Sequence, residues 1–172
     1  MSLRINPSLI KFYAVGCHQE VNHLYDKKPY VVHLECVVNI ANRFIHLIPD
    51  CDRNDVLAAC WCHDLIEDCR QSYNDVKGLT NKRVADLVFA VTTEKGKNRK
   101  QRANYRYYRG IRNTPYATFV KLCDRIANYE YSLKNKSRMA DTYQKEMSEF
   151  IEKLYTEQYT EMFDRLQTPV IA

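Results

Sequence analysis

Glycine and proline are scarce in this chain, four and five in 172 residues. A protein of many strands joined by tight turns needs more of both, so the shortage argues against an all-β design and leaves long stretches free for helix. Long hydrophobic runs are also absent, since nothing approaches the roughly 18 uninterrupted apolar residues of a spanning helix. The opening MSLRINPSLIKFY has no apolar run of signal-peptide length and no small-residue cleavage site. Membrane insertion and secretion are therefore not expected, and a cytoplasmic location is. Cysteine occurs seven times, without the even count of a disulfide framework or the C-x2-C spacing of a zinc site. Free thiols in a reducing compartment are expected. Cys60, Cys62 and Cys69 cluster around Trp61 and His63 and allow a soft-metal reading, but cysteine on a helix reads more simply as packing.

What is present fits one ordinary globular domain over residues 1–172, with 45% apolar and 27% charged residues. The net charge of +5 is unevenly placed. Residues 95–112, KGKNRKQRANYRYYRGIR, hold eight bases and no acid, which leaves the rest of the chain net acidic. Such a segment suits a phosphorylated small molecule, nucleic acid, an acidic partner, or simply a solvated face. Tyr105, Tyr107 and Tyr108 lie within it, where they can stack on bases or, more commonly, pack.

Punctuation and periodicity predict an all-α bundle. Asn6 and Pro7 open a helix over 7–24. A second spans about 31–47 and stops before Pro49. Asp52 caps a third over about 54–68, Ser72 starts a short turn stopped by Gly78, and Thr80 caps an amphipathic segment with Val84, Leu87, Val88 and Val91 inward. The basic run is a fifth element. Thr114 and Pro115 open the next helix, and an apolar stripe from Met139 to Leu166 predicts one long helix over about 138–166. That stripe serves equally as core or as an oligomer contact.

Ionisable groups concentrate in CWCHDLIEDC. His63 and Glu67, and Asp64 and Asp68, are i,i+4 pairs, while Leu65 and Ile66 anchor the opposite side. Three carboxylates gathered at the edge of a core repel one another unless a cation lies between them. His33 follows PYVV on an otherwise apolar helix, and Asp124 interrupts FVKLCD. Each alone is more often a hydrogen-bonded core residue. Together, His33, His63, Asp64 and Asp124 offer two imidazoles and two carboxylates, a set suited to manganese, iron or zinc.

The arrangement resembles the HD superfamily of metal-dependent phosphohydrolases, and within it the hydrolase domains of RelA/SpoT-type alarmone enzymes and their small stand-alone relatives. The family pattern PYxxH, HDxxED, V-T followed by bases, and KLADRxxN reads here as PYVVH (29–33), HDLIED (63–68), VTTEKGKNRKQR (91–102) and KLCDRIAN (121–128). The resemblance implies a compact single-domain HD-type helical bundle with His33, His63, Asp64 and Asp124 as metal ligands, manganese being the usual ion. It implies Glu67 and Asp68 as catalytic acids, Asn128 as a nucleotide contact, and Lys95, Arg99 and Arg102 as phosphate-binding bases. The implied activity is hydrolysis of guanosine 3′,5′-bis(diphosphate) or its pentaphosphate form to GDP or GTP and pyrophosphate.

One segment departs from the pattern. Where relatives carry H-x-x-Q-x-R-K-x-G before PY, this chain reads HQEVNHLYDKKPY, with Asn22 and His23 near the basic positions. A second reading is therefore an HD phosphatase or phosphodiesterase for another phosphorylated nucleotide, such as NADPH or a deoxynucleotide. A third is a nonenzymatic nucleotide or nucleic-acid binding module using residues 95–112. A small nucleotide is the expected partner, rather than a membrane or long nucleic acid. If Lys95, Arg99 and Arg102 share a helix, their spacing puts all three on one face, with Lys97, Lys100 and Arg106 less well aligned.

Overall fold

The computed structural model describes residues 6–171. Residues 1–5, on which part of the reading of the chain's opening rests, and residue 172 lie outside the described residues. Helix α1, Pro7–Glu20, starts where Asn6 Oδ1 accepts the backbone N–H groups of Ser8 and Leu9. It ends four residues short of the expected boundary. The chain instead turns into a hairpin, β1 Leu24–Tyr25 against β2 Lys28–Pro29, with Leu24 opposite Pro29. Asp26 and Lys27 at its tip both have positive φ, 50° and 63°. A two-residue turn of that hand normally advertises itself by glycine or asparagine, and lysine gives no such signal.

Helix α2, Val31–Phe44, buries Leu34, Val37 and Ile40 and continues as a 3-10 turn over Ile45–Leu47. Helix α3 spans Arg53–Cys62, and α4, Leu65–Asp68, is a separate single turn. The expected continuous helix over 54–68 is thus broken at His63–Asp64. Adjacent residues of an unbroken helix diverge by about 100°. The interruption lets these two neighbours bring their side chains toward one point.

Helix α5, Tyr73–Leu79, runs through Gly78 rather than stopping there and is held by a Ser72–Asp75 capping box. Asn81, not Thr80, caps α6, Lys82–Val91, while the Thr80 hydroxyl turns back to the Val76 carbonyl. The basic run divides into α7, Arg99–Arg102, and α8, Tyr105–Asn113, capped by Asn98 and Asn104. Tyr116, left-handed at φ 67°, rather than Thr114 with Pro115, precedes α9, Ala117–Lys134.

Helix α9 is the central element, buried on several sides and packed against α2, α3, α6 and α8. The single helix expected over 138–166 is two: α10, Met139–Leu154, and α11, Thr160–Gln167, separated at the extended residues Tyr155 and Thr156 with a 3-10 turn over Glu157–Tyr159. Both pieces pack on α9. A straight helix of that length would span about 43 Å, whereas the 18 residues of α9 span about 27 Å. Folding back keeps Phe150, Leu154, Met162, Phe163 and Leu166 on one core, which is why the apolar period continues across the break. Among the described residues no helix is long and apolar enough to cross a membrane.

Candidate active site

Three elements deliver four side chains to one buried point. His33 comes from α2, His63 and Asp64 from the α3–α4 break, and Asp124 from α9. His33 Nε2 lies 3.2 Å from His63 Nε2, and Asp64 Oδ2 lies 2.9 Å from His63 Nε2 and 3.5 Å from His33 Nε2. His33, His63 and Asp64 form a group able to hold a metal ion, their candidate ligand atoms all within 4.8 Å of one another. Asp124 borders this trio, with Oδ1 at 3.4 Å from His33 Nε2 and 3.7 Å from His63 Nε2.

The tautomer of His63 bears on the fit. Its Nδ1–H donates to the Cys60 carbonyl at 2.8 Å, so in the neutral ring it is Nε2 that carries the lone pair. That lone pair faces the other imidazole and two carboxylates. Acceptors converging in a buried site repel unless a proton or cation stands among them. His33 Nδ1 is buried without a partner among the described residues. The donor chemistry suits a divalent ion of intermediate softness.

Electrostatics point the same way. Burial opposes a charged imidazolium, yet the Asp64 and Asp124 carboxylates raise His63 well above its ordinary range. Burial likewise opposes the carboxylates, but His63 and His33 hold Asp64 well below the usual value, and Lys121 with the histidines does the same for Asp124. Around the cluster, Tyr30 donates to Asp64 Oδ2 at 2.5 Å, Lys121 to Asp124 Oδ2 at 2.7 Å, and Asn128 Nδ2 to Asp124 Oδ1 at 2.5 Å. Tyr25 in turn donates to Asn128 Oδ1 at 2.9 Å.

The cluster opens into a cleft of about 490 Å³ that also takes in Glu67, Asp68, Asn128, Arg99 and Arg102. Lys95 stands apart. It lies in the loop before α7, outside the cleft lining, so the expected common face of Lys95, Arg99 and Arg102 does not exist. Lys100 lines the cleft instead. Burial and the neighbouring Asp64 and Glu67 carboxylates push Asp68 up to about 7.

Several lining residues escaped the sequence. Tyr30, Lys121 and Arg125 sit inside the motifs PYVVH and KLCDRIAN, where adjacency to His33 and Asp124 is a usable signal. Glu146 on α10 has none. Its Oε1 and Oε2 accept from Arg99 Nε and Nη2 at 2.9 Å each, and Oε2 also accepts from Arg125 at 2.9 Å. Both guanidinium groups lie over the Tyr143 ring.

Packing accounts for the cysteines and for two of the three tyrosines in the basic run. All seven cysteines are free, Cys60, Cys62, Cys69 and Cys123 are buried, and none belongs to the metal-competent group among the described residues. Tyr107 and Tyr108 are buried while Tyr105 is exposed, so no continuous stacking platform forms along the basic run. In the segment that departs from the motif, His18, His23 and Tyr30 stack, with centroid separations of 4.2 Å for His18–Tyr30 and 3.9 Å for His23–Tyr30. Burial holds His18 down at about 4. Stacked rings therefore fill this segment, and of the three only Tyr30 lines the cleft.

No protein-family profile matches the chain. It is 31% identical over 101 residues to guanosine-3′,5′-bis(diphosphate) 3′-pyrophosphohydrolase MESH1 of Drosophila melanogaster, a match covering 58% of this chain and 54% of that protein. The matched segment thus spans about half the length of the curated relative. A solved structure, described as a metazoan ortholog of SpoT that hydrolyzes ppGpp and plays a role in starvation responses, superimposes with a TM-score of 0.72 over 96% of both chains at 20% identity. The all-α fold of this chain is the fold of that hydrolase.

Proposed function

We propose that the protein is a metal-dependent nucleotide pyrophosphohydrolase acting on guanosine 3′,5′-bis(diphosphate) or its pentaphosphate form. The observation that carries this reading is the meeting of the His33, His63 and Asp64 trio and the bordering Asp124 with a cleft that holds two further acids and a set of bases. These four residues would hold one divalent ion, which we take to be manganese, with iron or zinc as alternatives. Such an ion supplies Lewis acidity toward a phosphoryl oxygen and lowers the pKa of a nearby water.

The chain's own groups have separable tasks. Arg99, Lys100 and Arg102 bind the phosphates, charge-assisted contacts being the strong ones for such groups. Asn128 contacts the nucleotide. Glu67 orients the attacking water and takes its proton. Asp68, held protonated to a higher pH than an ordinary carboxyl, gives a proton to the ribose 3′ oxygen as its bond to phosphorus breaks. Water thereby adds across that bond, leaving GDP or GTP and pyrophosphate. The relatives described as acting on this substrate support the reading.

The segment around Asn22 and His23, where family bases are missing, keeps a second reading in play, in which the substrate is a different phosphorylated nucleotide such as NADPH or a deoxynucleotide. One experiment separates them: purified protein with manganese against a nucleotide panel, products resolved by chromatography. The expected result is GDP and pyrophosphate from guanosine 3′,5′-bis(diphosphate). Turnover of NADPH or a deoxynucleotide alone would replace the first reading with the second, and binding without turnover of any nucleotide would leave a binding module.

A further inference from the structure

The carboxylate of Glu67 is held from outside its own helix. Thr93, two residues beyond the end of α6, donates its backbone N–H to Glu67 Oε2 at 3.0 Å and its hydroxyl to Oε1 at 2.8 Å. A glutamate on a one-turn helix has several rotatable bonds and many conformations to sample. Two donors, one to each oxygen, fix both the position and the plane of the carboxylate.

Thr93 also opens a loop that closes on itself. The Glu94 N–H donates to the Arg102 carbonyl at 3.1 Å, and the Lys97 N–H donates to Gln101 Oε1 at 2.8 Å. Gly96 permits the closure, because a Cβ there would come within 2.8 Å of Gln101 Cβ and 3.0 Å of the Arg102 nitrogen. The far end of this loop presents Arg102, whose guanidinium lies 3.9 Å from Glu67 Oε1. One closed unit therefore grips an acid at its start and offers a base at its end.

We propose that Thr93 is a positioning residue for Glu67, and that the closed loop of residues 93–103 ties the placement of this acid to that of the phosphate-binding base Arg102. The proposal rests on Glu67 being the group that handles the attacking water. Misplacing a reacting group by about 1 Å costs on the order of 10²-fold in rate. The grip on Glu67 therefore acts on kcat, whereas loss of a phosphate contact shared by ground and transition states appears in KM.

The test compares Thr93→Val, Thr93→Ser and Glu67→Gln in the metal-loaded protein. Thr93→Val, which keeps the shape and the backbone N–H, should lower kcat about 10- to 100-fold with KM and metal content unchanged. Thr93→Ser should restore most of the rate. Gly96→Ala, which forces the loop apart, should lower kcat and raise KM together. In metal-free protein, hydrogen exchange at the Thr93 amide should accelerate at least about tenfold in Glu67→Ala, a readout that needs no turnover. Normal kcat in Thr93→Val beside a crippled Glu67→Gln would overturn the positioning role while leaving the function intact. Normal kcat in Glu67→Gln would instead remove the catalytic reading of Glu67 itself. A change confined to KM in Gly96→Ala would sever the link between acid and base.

Discussion

Glu67 and Asp68 are chain neighbours with different surroundings, and the difference is consistent with the separate tasks proposed for them. Glu67 is gripped through both oxygens by Thr93, whereas the Asp68 carboxyl lies 4.0 Å from His23 Nδ1, and burial with two adjacent carboxylates pushes it up to about 7. An acid whose folded pKa exceeds its unfolded value costs stability once the unfolded chain ionises. The cost begins above about pH 4, grows toward pH 7 and is constant beyond. Asp68→Asn should therefore stabilise the metal-free protein by about 1–2 kcal/mol at pH 7.5 after allowance for partial exposure, and by little at pH 4. It should also remove most of the turnover. Denaturant melts at the two pH values, run beside the activity measurement, check both halves. A variant no more stable at pH 7.5 than at pH 4 would contradict the strained-acid reading.

At the scale of elements, the break at His63–Asp64 shapes the candidate site, and breaks in helices are also what the sequence concealed. His33, His63, Asp64 and Asp124 were legible because each stands in a short motif with polar residues where apolar ones belong. The interruption between α3 and α4 was not, because Leu65 and Ile66 continue the apolar side of α3 across it. The split between α10 and α11 was hidden for the same reason, since both halves cover α9. Glu146 was invisible because its partners are 21 and 47 residues away, and long-range pairing leaves no local pattern. This residue ties α10 to the cleft. Its carboxylate is held down at about 2, since Arg99 and Arg125 outweigh the effect of burial. A carboxylate with a depressed folded pKa contributes stability above its unfolded value, lost as pH falls through the folded one. Glu146→Gln should thus destabilise the protein by about 1–2 kcal/mol at pH 7, allowing for solvent screening, with the deficit shrinking between about pH 4.5 and 2. KM should rise as well, because Arg99 would lose the partner that orients it toward the cleft. A pH-independent deficit, or an unchanged KM, would separate Glu146 from these roles.

On the scale of the whole molecule, the candidate metal site joins what the backbone does not. His33, the His63–Asp64 pair and Asp124 belong to α2, the α3–α4 junction and α9, elements separated by tens of residues in sequence and packed as the centre of the fold. Because these ligands are gathered only in the folded chain, an ion binding there adds its binding free energy to folding. At a free metal concentration of about 100 times the dissociation constant the gain is about 2.7 kcal/mol. For a chain of this length that corresponds to a rise in Tm of about 5–10 °C. Chelation of the metal-loaded protein should lower Tm by that amount, and manganese should restore it. His63→Ala and Asp64→Ala should contain little metal and melt at the same temperature with or without chelator, whereas Glu67→Gln should keep both its metal and the chelator-sensitive shift. Elemental analysis beside thermal melts distinguishes these outcomes. If chelation shifts His63→Ala as much as the parent protein, the stabilising ion sits elsewhere, and the four-residue cluster is a proton-linked network instead.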